Sequence, residues 1–269
     1  LQYVGWDTTA DFDYDPATQV YTLKAGVPDV ASNLTGVFHG VTNNVPAGQN
    51  AYPGMAKYKD VDGSGTVDEN DYEVIGNMNP KFTGGFNITA NYKNWDMSAY
   101  FNYSVGNQIY NINKLVTLNG YKETGVYENH LDLLKDSYRI YDIQNGQLVR
   151  VHDPAALDAL NANAKYPLFY NENGVVSDLG IEDGSYLRLN TLSVGYTLPA
   201  ESAVARALTI SNLRIYASVY NLFTLTKYSG LDPEVSTNNN MNATYPTPGI
   251  DYGAYPRARS FVLGVNLTF

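Results

Sequence analysis

Hydrophobic and polar residues alternate along five stretches of this chain. In the last, Phe261, Leu263, Val265, Leu267 and Phe269 fall on one face, and Ser260, Val262, Gly264, Asn266 and Thr268 on the other. A period of two marks a strand with one apolar face. Taken alone, about ten such residues ending on an aromatic fit a membrane-spanning barrel strand and the last strand of a soluble sandwich equally well. Earlier, Phe86, Ile88, Ala90 and Tyr92 alternate with Asn87, Thr89 and Asn91. After Lys93-Asn94, Trp95, Met97, Ala99, Phe101 and Tyr103 alternate with Asp96, Ser98, Tyr100, Asn102 and Ser104, which predicts a hairpin. From Ser185 to Leu198, Leu187 and Leu189 share one phase and Leu192, Val194, Tyr196 and Leu198 the other, so a β-bulge is predicted near Asn190. Between Asn212 and Thr226, Leu213, Ile215, Ala217, Val219, Phe223 and Leu225 oppose Arg214, Tyr216, Ser218, Tyr220 and Thr224.

The predicted strands cover about 81–92, 94–105, 185–198, 212–226 and 259–269. Residues 1–80, 106–183 and 227–258 lack such periodicity and read as long loops. Gln19–Lys24 is strand-like, while Glu128–Arg139 and the segment opening at Asp153-Pro154 have helical character; these read as loop ornaments rather than core. Short and long connections alternate, as in bacterial barrels, and a soluble sandwich rarely carries connections of about eighty residues. With barrel ends in the periplasm, residues 1–80, 106–183 and 227–258 are expected outside the cell. Five strands cannot close a barrel, and open edges cannot sit in lipid. The expected fold is therefore all-β: the C-terminal part, about five antiparallel strands, of a large transmembrane β-barrel whose other strands lie elsewhere. A carboxylate facing lipid is costly, so Asp96 must point inward. The predicted lumen-facing set is Asp96, Ser98, Tyr100 and Asn102 on one strand and Arg214, Tyr216, Ser218 and Tyr220 on another.

Composition agrees with an exported membrane protein. Charged residues make up 16% of the 269, against about 25% in soluble domains, and Asn, Thr, Ser and Gly fill the gap. The 24 Tyr, 9 Phe and 2 Trp suit interface girdles and wall packing. There is no run of 18 apolar residues, so no transmembrane helix is expected. A net charge of −10 without a basic patch argues against nucleic acid and is compatible with a divalent cation. The absence of cysteine excludes disulfides and Cys-based zinc sites. Leu1-Gln-Tyr-Val-Gly-Trp6 is neither a Met start nor a signal peptide, and a fragment is expected.

One local motif carries chemistry. Asp60-Val-Asp-Gly-Ser-Gly-Thr-Val-Asp-Glu-Asn-Asp71 has the spacing of an EF-hand-type calcium loop. Asp60, Asp62, Ser64, Thr66 (through its carbonyl), Asp68 and Asp71 occupy ligand positions 1, 3, 5, 7, 9 and 12, with Gly65 at the sharp turn. Alternating hard oxygens wrap a hard cation, and a structural calcium is the expected cofactor. Position 12 is Asp rather than Glu, and flanking helices are not evident. His39, His130 and His152 are scattered, and no nucleophile elbow, P-loop or dinucleotide fingerprint occurs, so no enzyme active site is expected.

Several segments together resemble the C-terminal region of the SusC/RagA-type TonB-dependent transporters of Bacteroidetes. They are Lys59–Asp68, Ile75-Gly-Asn77, Pro80–Phe86, Tyr92–Asp96, Gly184–Asn190, Gly195–Pro199, Leu213–Tyr216, Asn221–Thr224, Gly230–Glu234 and Pro256–Phe261. The similarity runs from about residue 57 to the end, in order; the first fifty or so residues and the 107–180 loop have no such counterpart. The resemblance implies a 22-stranded barrel with an N-terminal plug, a SusD-like surface lipoprotein as lid, energy supplied through TonB, and import of oligosaccharides or peptides across the outer membrane. This chain would supply the last five strands, in contact with outer-membrane lipid, and its partners would be the remaining barrel and plug. A secreted calcium-binding adhesion or scaffold β module is the alternative; a secreted β hydrolase is a third reading that lacks an identifiable site.

Overall fold

The computed structural model describes residues 1–35, 44–118, 132–168, 176–207, 209–235 and 249–268. Phe269, His39, His130 and the start of the Glu128–Arg139 segment lie outside the described residues. The chain divides into two compact units, Leu1–Gly76 with Ile112–Ile181, and Asn77–Asn111 with Glu182–Phe269.

The second unit holds one antiparallel sheet of five long strands: β1 (Phe82–Tyr92), β2 (Trp95–Val105), β3 (Tyr186–Leu198), β4 (Asn212–Thr226) and β5 (Ser260–Thr268). They lie side by side in chain order, each paired with its sequence neighbour. The expected five-stranded antiparallel sheet is thus present, with β1 and β5 at its edges. The pairing β1/β2 runs without interruption from Phe82↔Val105 to Tyr92↔Trp95 around a two-residue turn in which Lys93 has φ +52°.

The phase slip at Asn190 is a bulge. Register jumps from Leu189↔Phe101 to Thr191↔Tyr100 on one side and from Leu189↔Phe223 to Thr191↔Tyr220 on the other. Asn190 therefore has no opposite number on β2, and β4 absorbs the slip with Asn221 at φ +52°. The slip restores the face of every residue beyond it, because one extra residue reverses a period-two pattern.

Register sorts the side chains. Ile88, Ala99, Leu192, Val219 and Phe261 form one apolar row; Ala90, Met97, Val194, Ala217 and Leu263 form the next. Tyr92, Trp95 and Tyr196 close this face at the short-turn end, where Trp95 and Tyr196 pack 5.0 Å apart. Toward the other end, Phe86 stacks on Phe101 at 4.9 Å. Leu263 is 84% exposed and Phe261 71% exposed. A continuous apolar face this large is not left in water. Eleven residues at about 3.3 Å each span the hydrocarbon layer even when tilted.

The first unit is not a plain loop. It contains two-stranded pairings of two to four residues each: Tyr3–Trp6 with Ala56–Tyr58, Phe12–Asp15 with Val20–Leu23, Asp29–Val30 with Thr66–Val67, and Tyr141–Gln144 with Gln147–Arg150. Strands so short show no readable period. Phe12, Tyr21, Ala51, Tyr52, Tyr138, Ile140, Val151 and Leu157 form one core; Leu1, Val30, Leu34, Tyr58 and Val67 form another. The helix Pro154–Leu160 starts where expected, with the Asp153 carboxylate accepting the Ala156 N–H at 2.9 Å. Its Leu157 is fully buried in the first core, so the reading of this helix as an ornament is corrected. The aromatics supply the core: Tyr21 packs edge-on to Phe12 at 6.0 Å and to Tyr52 at 5.3 Å. These buried tyrosines are core residues rather than girdle or wall. Of the Glu128–Arg139 segment, Asp132–Asp136 is a 3-10 helix.

Candidate functional site: polar wall and acidic loop

The face opposite the apolar band is built mostly from hydroxyls and amides. Thr89, Ser98, Ser193 and Ser218 share one row, which ends on Val262; Asn87, Tyr100, Thr191, Tyr220 and Ser260 share the next. Asn91, Asp96, Gly195, Tyr216 and Gly264 make a third. All eight residues singled out as facing inward, Asp96, Ser98, Tyr100, Asn102, Arg214, Tyr216, Ser218 and Tyr220, lie on this one polar face by register.

Only three charged residues occur in the five strands, Asp96, Arg188 and Arg214. Arg214 grips Asp96 with two hydrogen bonds, Nε to Oδ1 at 3.0 Å and Nη2 to Oδ2 at 2.5 Å. The partners sit on β4 and β2, so the pair reaches across β3. Gly195 lies between them, and a Cβ there would fall 2.5 Å from Arg214 Nη2 and 2.6 Å from Asp96 Oδ1. The same device recurs at Gly264, where a Cβ would meet the Tyr216 ring at 2.2 Å. Arg214 in turn lies over that ring, 4.9 Å from its centre.

A second ionic cluster, absent from the sequence-based set, sits at the opposite end of the polar face. Arg188 is 2% exposed and donates to Thr224 Oγ1 (2.9 Å), Glu234 Oε2 (2.6 Å) and Asp232 Oδ1 (2.5 Å). Arg257 reaches Glu234 Oε2 at 3.2 Å. The Gly230–Glu234 and Pro256–Phe261 segments are thereby tied to the wall. The readable signal was an arginine at a polar-phase position of a strand with two acids in a following loop. Burial also lifts the Asp232 carboxyl, but the Glu234 amide and the Arg188 guanidinium outweigh it and hold the group below its ordinary value.

The acidic loop lies in the first unit. Asp60, Asp62 and Asp71 each bring a carboxylate oxygen to within 4.8 Å of the others, the one such acidic group among the described residues. Asp60 Oδ1 accepts the Gly63 and Ser64 amides and Oδ2 the Gly65 amide, at 2.8–3.2 Å. Asp71, fully buried, accepts Val61 and Asp62 on Oδ1 and Asp68 on Oδ2. A carboxylate has about four acceptor sites, so each keeps roughly one for a further partner. Burial raises the Asp71 carboxyl, yet its three backbone amides win and keep it below the ordinary carboxylate range. Gly63 and Gly65 turn the loop at φ +74° and +85°. Asp68 lies outside the trio and instead accepts the Asn70 amide at 2.7 Å, capping the 3-10 turn Glu69–Asp71. Ser64 Oγ donates to the Thr66 carbonyl at 2.9 Å. Of the histidines, only His152 is described; it contributes no ligand to an acidic or metal-type group, and burial lowers its pKa.

The chain is similar to known proteins. No family model matches the chain. TonB-dependent receptor P3 of Formosa agariphila is 33% identical over 241 residues, 87% of this chain and 21% of the receptor. TonB-dependent receptor SusC of Bacteroides thetaiotaomicron is 26% identical over 223 residues, 82% of this chain and 18% of the receptor. The chain thus spans about a fifth of the length of the curated relatives it matches. Among solved structures, the RagAB peptide importer in its closed-closed state overlays all of this chain on 22% of its own, with TM-score 0.51 and 21% identity. A second structure of the RagAB peptide transporter covers 71% of this chain, with TM-score 0.50 and 24% identity. These relatives are receptors and transporters, and none supports the adhesion module. A sheet with one lipid-type and one neutral polar face, together with these relatives, places the chain among the TonB-dependent receptors of SusC/RagA type, β-barrel proteins of the outer membrane.

Proposed function

We propose that this chain forms part of the barrel wall of an importer that takes up oligosaccharides or peptides, together with a SusD-like surface lipoprotein and a TonB-coupled plug. The observation that carries the reading is the two-faced sheet: apolar rows for lipid, and a polar face whose charges are all paired. Such a wall binds and passes solute without covalent chemistry. The long connections are assigned to the outside of the cell, where they meet the lipoprotein and the solute. Fractionation of cells expressing the full-length protein tests this. The protein should sediment with outer membranes and change electrophoretic mobility on boiling, as closed barrels do. Release as a soluble monomer by a salt wash would sink the reading.

We further propose that Asp60, Asp62 and Asp71 hold a calcium ion, assisted by Ser64, the Thr66 carbonyl and Asp68. Three carboxylates this close repel one another, and a hard divalent cation relieves that repulsion. The ion would pin the loop against Asp29–Val30, the strand that pairs with Thr66–Val67. Metal analysis of the purified protein should find one calcium per chain, lost in the Asp60→Ala/Asp62→Ala double variant. Unchanged metal content would refute the site.

A further inference from the structure

The connection from β4 to β5 does not simply lead away from the strand ends. Its described parts, residues 227–235 and 249–259, fold back over the polar face, all within the second unit. The first leg carries Asp232 and Glu234 to Arg188 on β3. Pro233, Glu234 and Val235 then line, with Gly249, a cavity of about 480 Å³ whose other walls include Thr83 of β1 and Asn102 and Ser104 of β2. The second leg starts beside the approach to β1, where a Cβ on Gly249 would fall 2.9 Å from Met78 Cβ. It pairs in parallel with Gln108–Asn111 through Ile250–Asp251 and returns to β5. The two legs form a strap laid from β4 across β3 and β2 to the start of β1, and back.

The legs hold each other. The Gly249 amide donates to the Val235 carbonyl at 3.3 Å, the Tyr228 hydroxyl to Asp251 Oδ2 at 2.5 Å, and Arg257 reaches Glu234 at 3.2 Å. Each leg is also tied to what lies beneath it. Ser229 donates from its amide and its hydroxyl to the Glu182 carboxylate, both at 2.8 Å, and the Tyr110 amide donates to the Gly249 carbonyl at 2.8 Å. The apolar seam is small, with Ile109, Tyr228 and Val235 as its buried members. Arg188 therefore carries much of the attachment. All three of its side-chain nitrogens are bonded, two of them to acids of the strap. A guanidinium is tolerated at 2% exposure only when so fully paired, and it is so paired only with the strap in place.

Because the legs are bonded to each other, neither can rise alone. Lifting the strap breaks the Arg188 clasp, the Ser229–Glu182 bonds and the Tyr110–Gly249 pairing together. Segments that open only as one unit open rarely. We infer that these two legs are a fixed strap across the outer end of the polar face, fastened by Arg188, and not a lid that lifts to admit solute. Arg188 is then a positioning residue. Solute reaches the polar wall beside the strap, and any wide opening of this end comes from other segments. The inference goes beyond the importer reading and does not depend on which solute is carried.

Hydrogen exchange on the full-length protein tests this. Peptides covering 228–235, 249–254 and 108–111 should exchange about a hundredfold or more below their intrinsic rates. Arg188→Met should speed exchange in all three by about tenfold or more, and leave the centres of β2 and β3 and the boiling-dependent mobility shift unchanged. Arg188→Lys keeps the charge but cannot bond both acids in the same fork, and should fall between the two. Where Arg188→Met does not assemble, Arg257→Ala serves; that side chain is half-exposed, and its loss should still loosen both legs together. Strap peptides that exchange freely in the unaltered protein would show a lid and overturn the inference. So would exchange that Arg188→Met and Arg257→Ala leave unchanged, or a variant that frees one leg alone. Failure of the full-length protein to fractionate with outer membranes would instead remove the importer reading and leave the strap standing.

Discussion

Glycine 195 shows how a single residue can hold three strands together. Its missing side chain leaves the lane through which Arg214 on β4 reaches Asp96 on β2. Gly195→Val should force the guanidinium and carboxylate apart and destabilise the sheet by about 1–3 kcal/mol, the usual range for overpacking. Loss of the mobility shift at a lower temperature than in the unaltered full-length protein checks this; an unchanged transition would show that the pair does not need the lane. Asp96 and Arg214 were both legible as inward-facing from alternation alone. Their pairing was not, because contact across an intervening strand depends on register, and register here depends on a bulge. Arg188 escaped notice for a related reason. Its partners Asp232 and Glu234 belong to a loop without period, and only the fold brings them back to the wall.

At the scale of elements, long alternating strands announced themselves and short ones did not. Phe12–Asp15 and Val20–Leu23 each offer only four residues, too few to separate a two-residue period from chance. The connections that read as loops therefore carry cores built on Tyr21, Tyr52 and Leu157. One pairing there is sensitive to pH. Asp7, 1% exposed, follows the strand Tyr3–Trp6 and exchanges backbone hydrogen bonds with Gly54 and Met55. Burial pushes its carboxyl up from 3.8 to about 7, aided by Asp11 and Asp29, while Lys57, 3.7 Å away, opposes the shift. The folded state binds this proton more tightly than the unfolded chain. Its contribution to stability is therefore complete below about pH 4 and lost as pH rises through about 7. Protection of the Asp7 and Gly54 amides in hydrogen exchange should fall across that window once intrinsic rates are removed. In Asp7→Asn the slope should disappear; a slope that survives would assign the effect to another group.

For the whole molecule, the polar connections are as informative as the sheet. Of 27 acidic and 17 basic residues, only Asp96, Arg188 and Arg214 lie in the strands, and only Lys93, Glu201 and Arg206 lie at the short-turn end. All others sit in the segments leaving the opposite end. This chain has no cysteine; with any cysteine elsewhere in the full-length protein replaced, single cysteines introduced at Asn145, the tip of the Tyr141–Arg150 hairpin, and at Ala200 would report sidedness. On intact cells a membrane-impermeant maleimide should label the first and spare the second; the reverse would invert the assignment of sides. The same uneven distribution fixes the sheet's orientation once it is in the bilayer. Dragging dozens of hydrated ions back through hydrocarbon is prohibitive, although the short-turn end carries only three. Pairing of Asp96 with Arg214, and of Arg188 with its two acids, leaves no naked charge in between. Once assembled, the sheet therefore cannot slip through the bilayer or flip over.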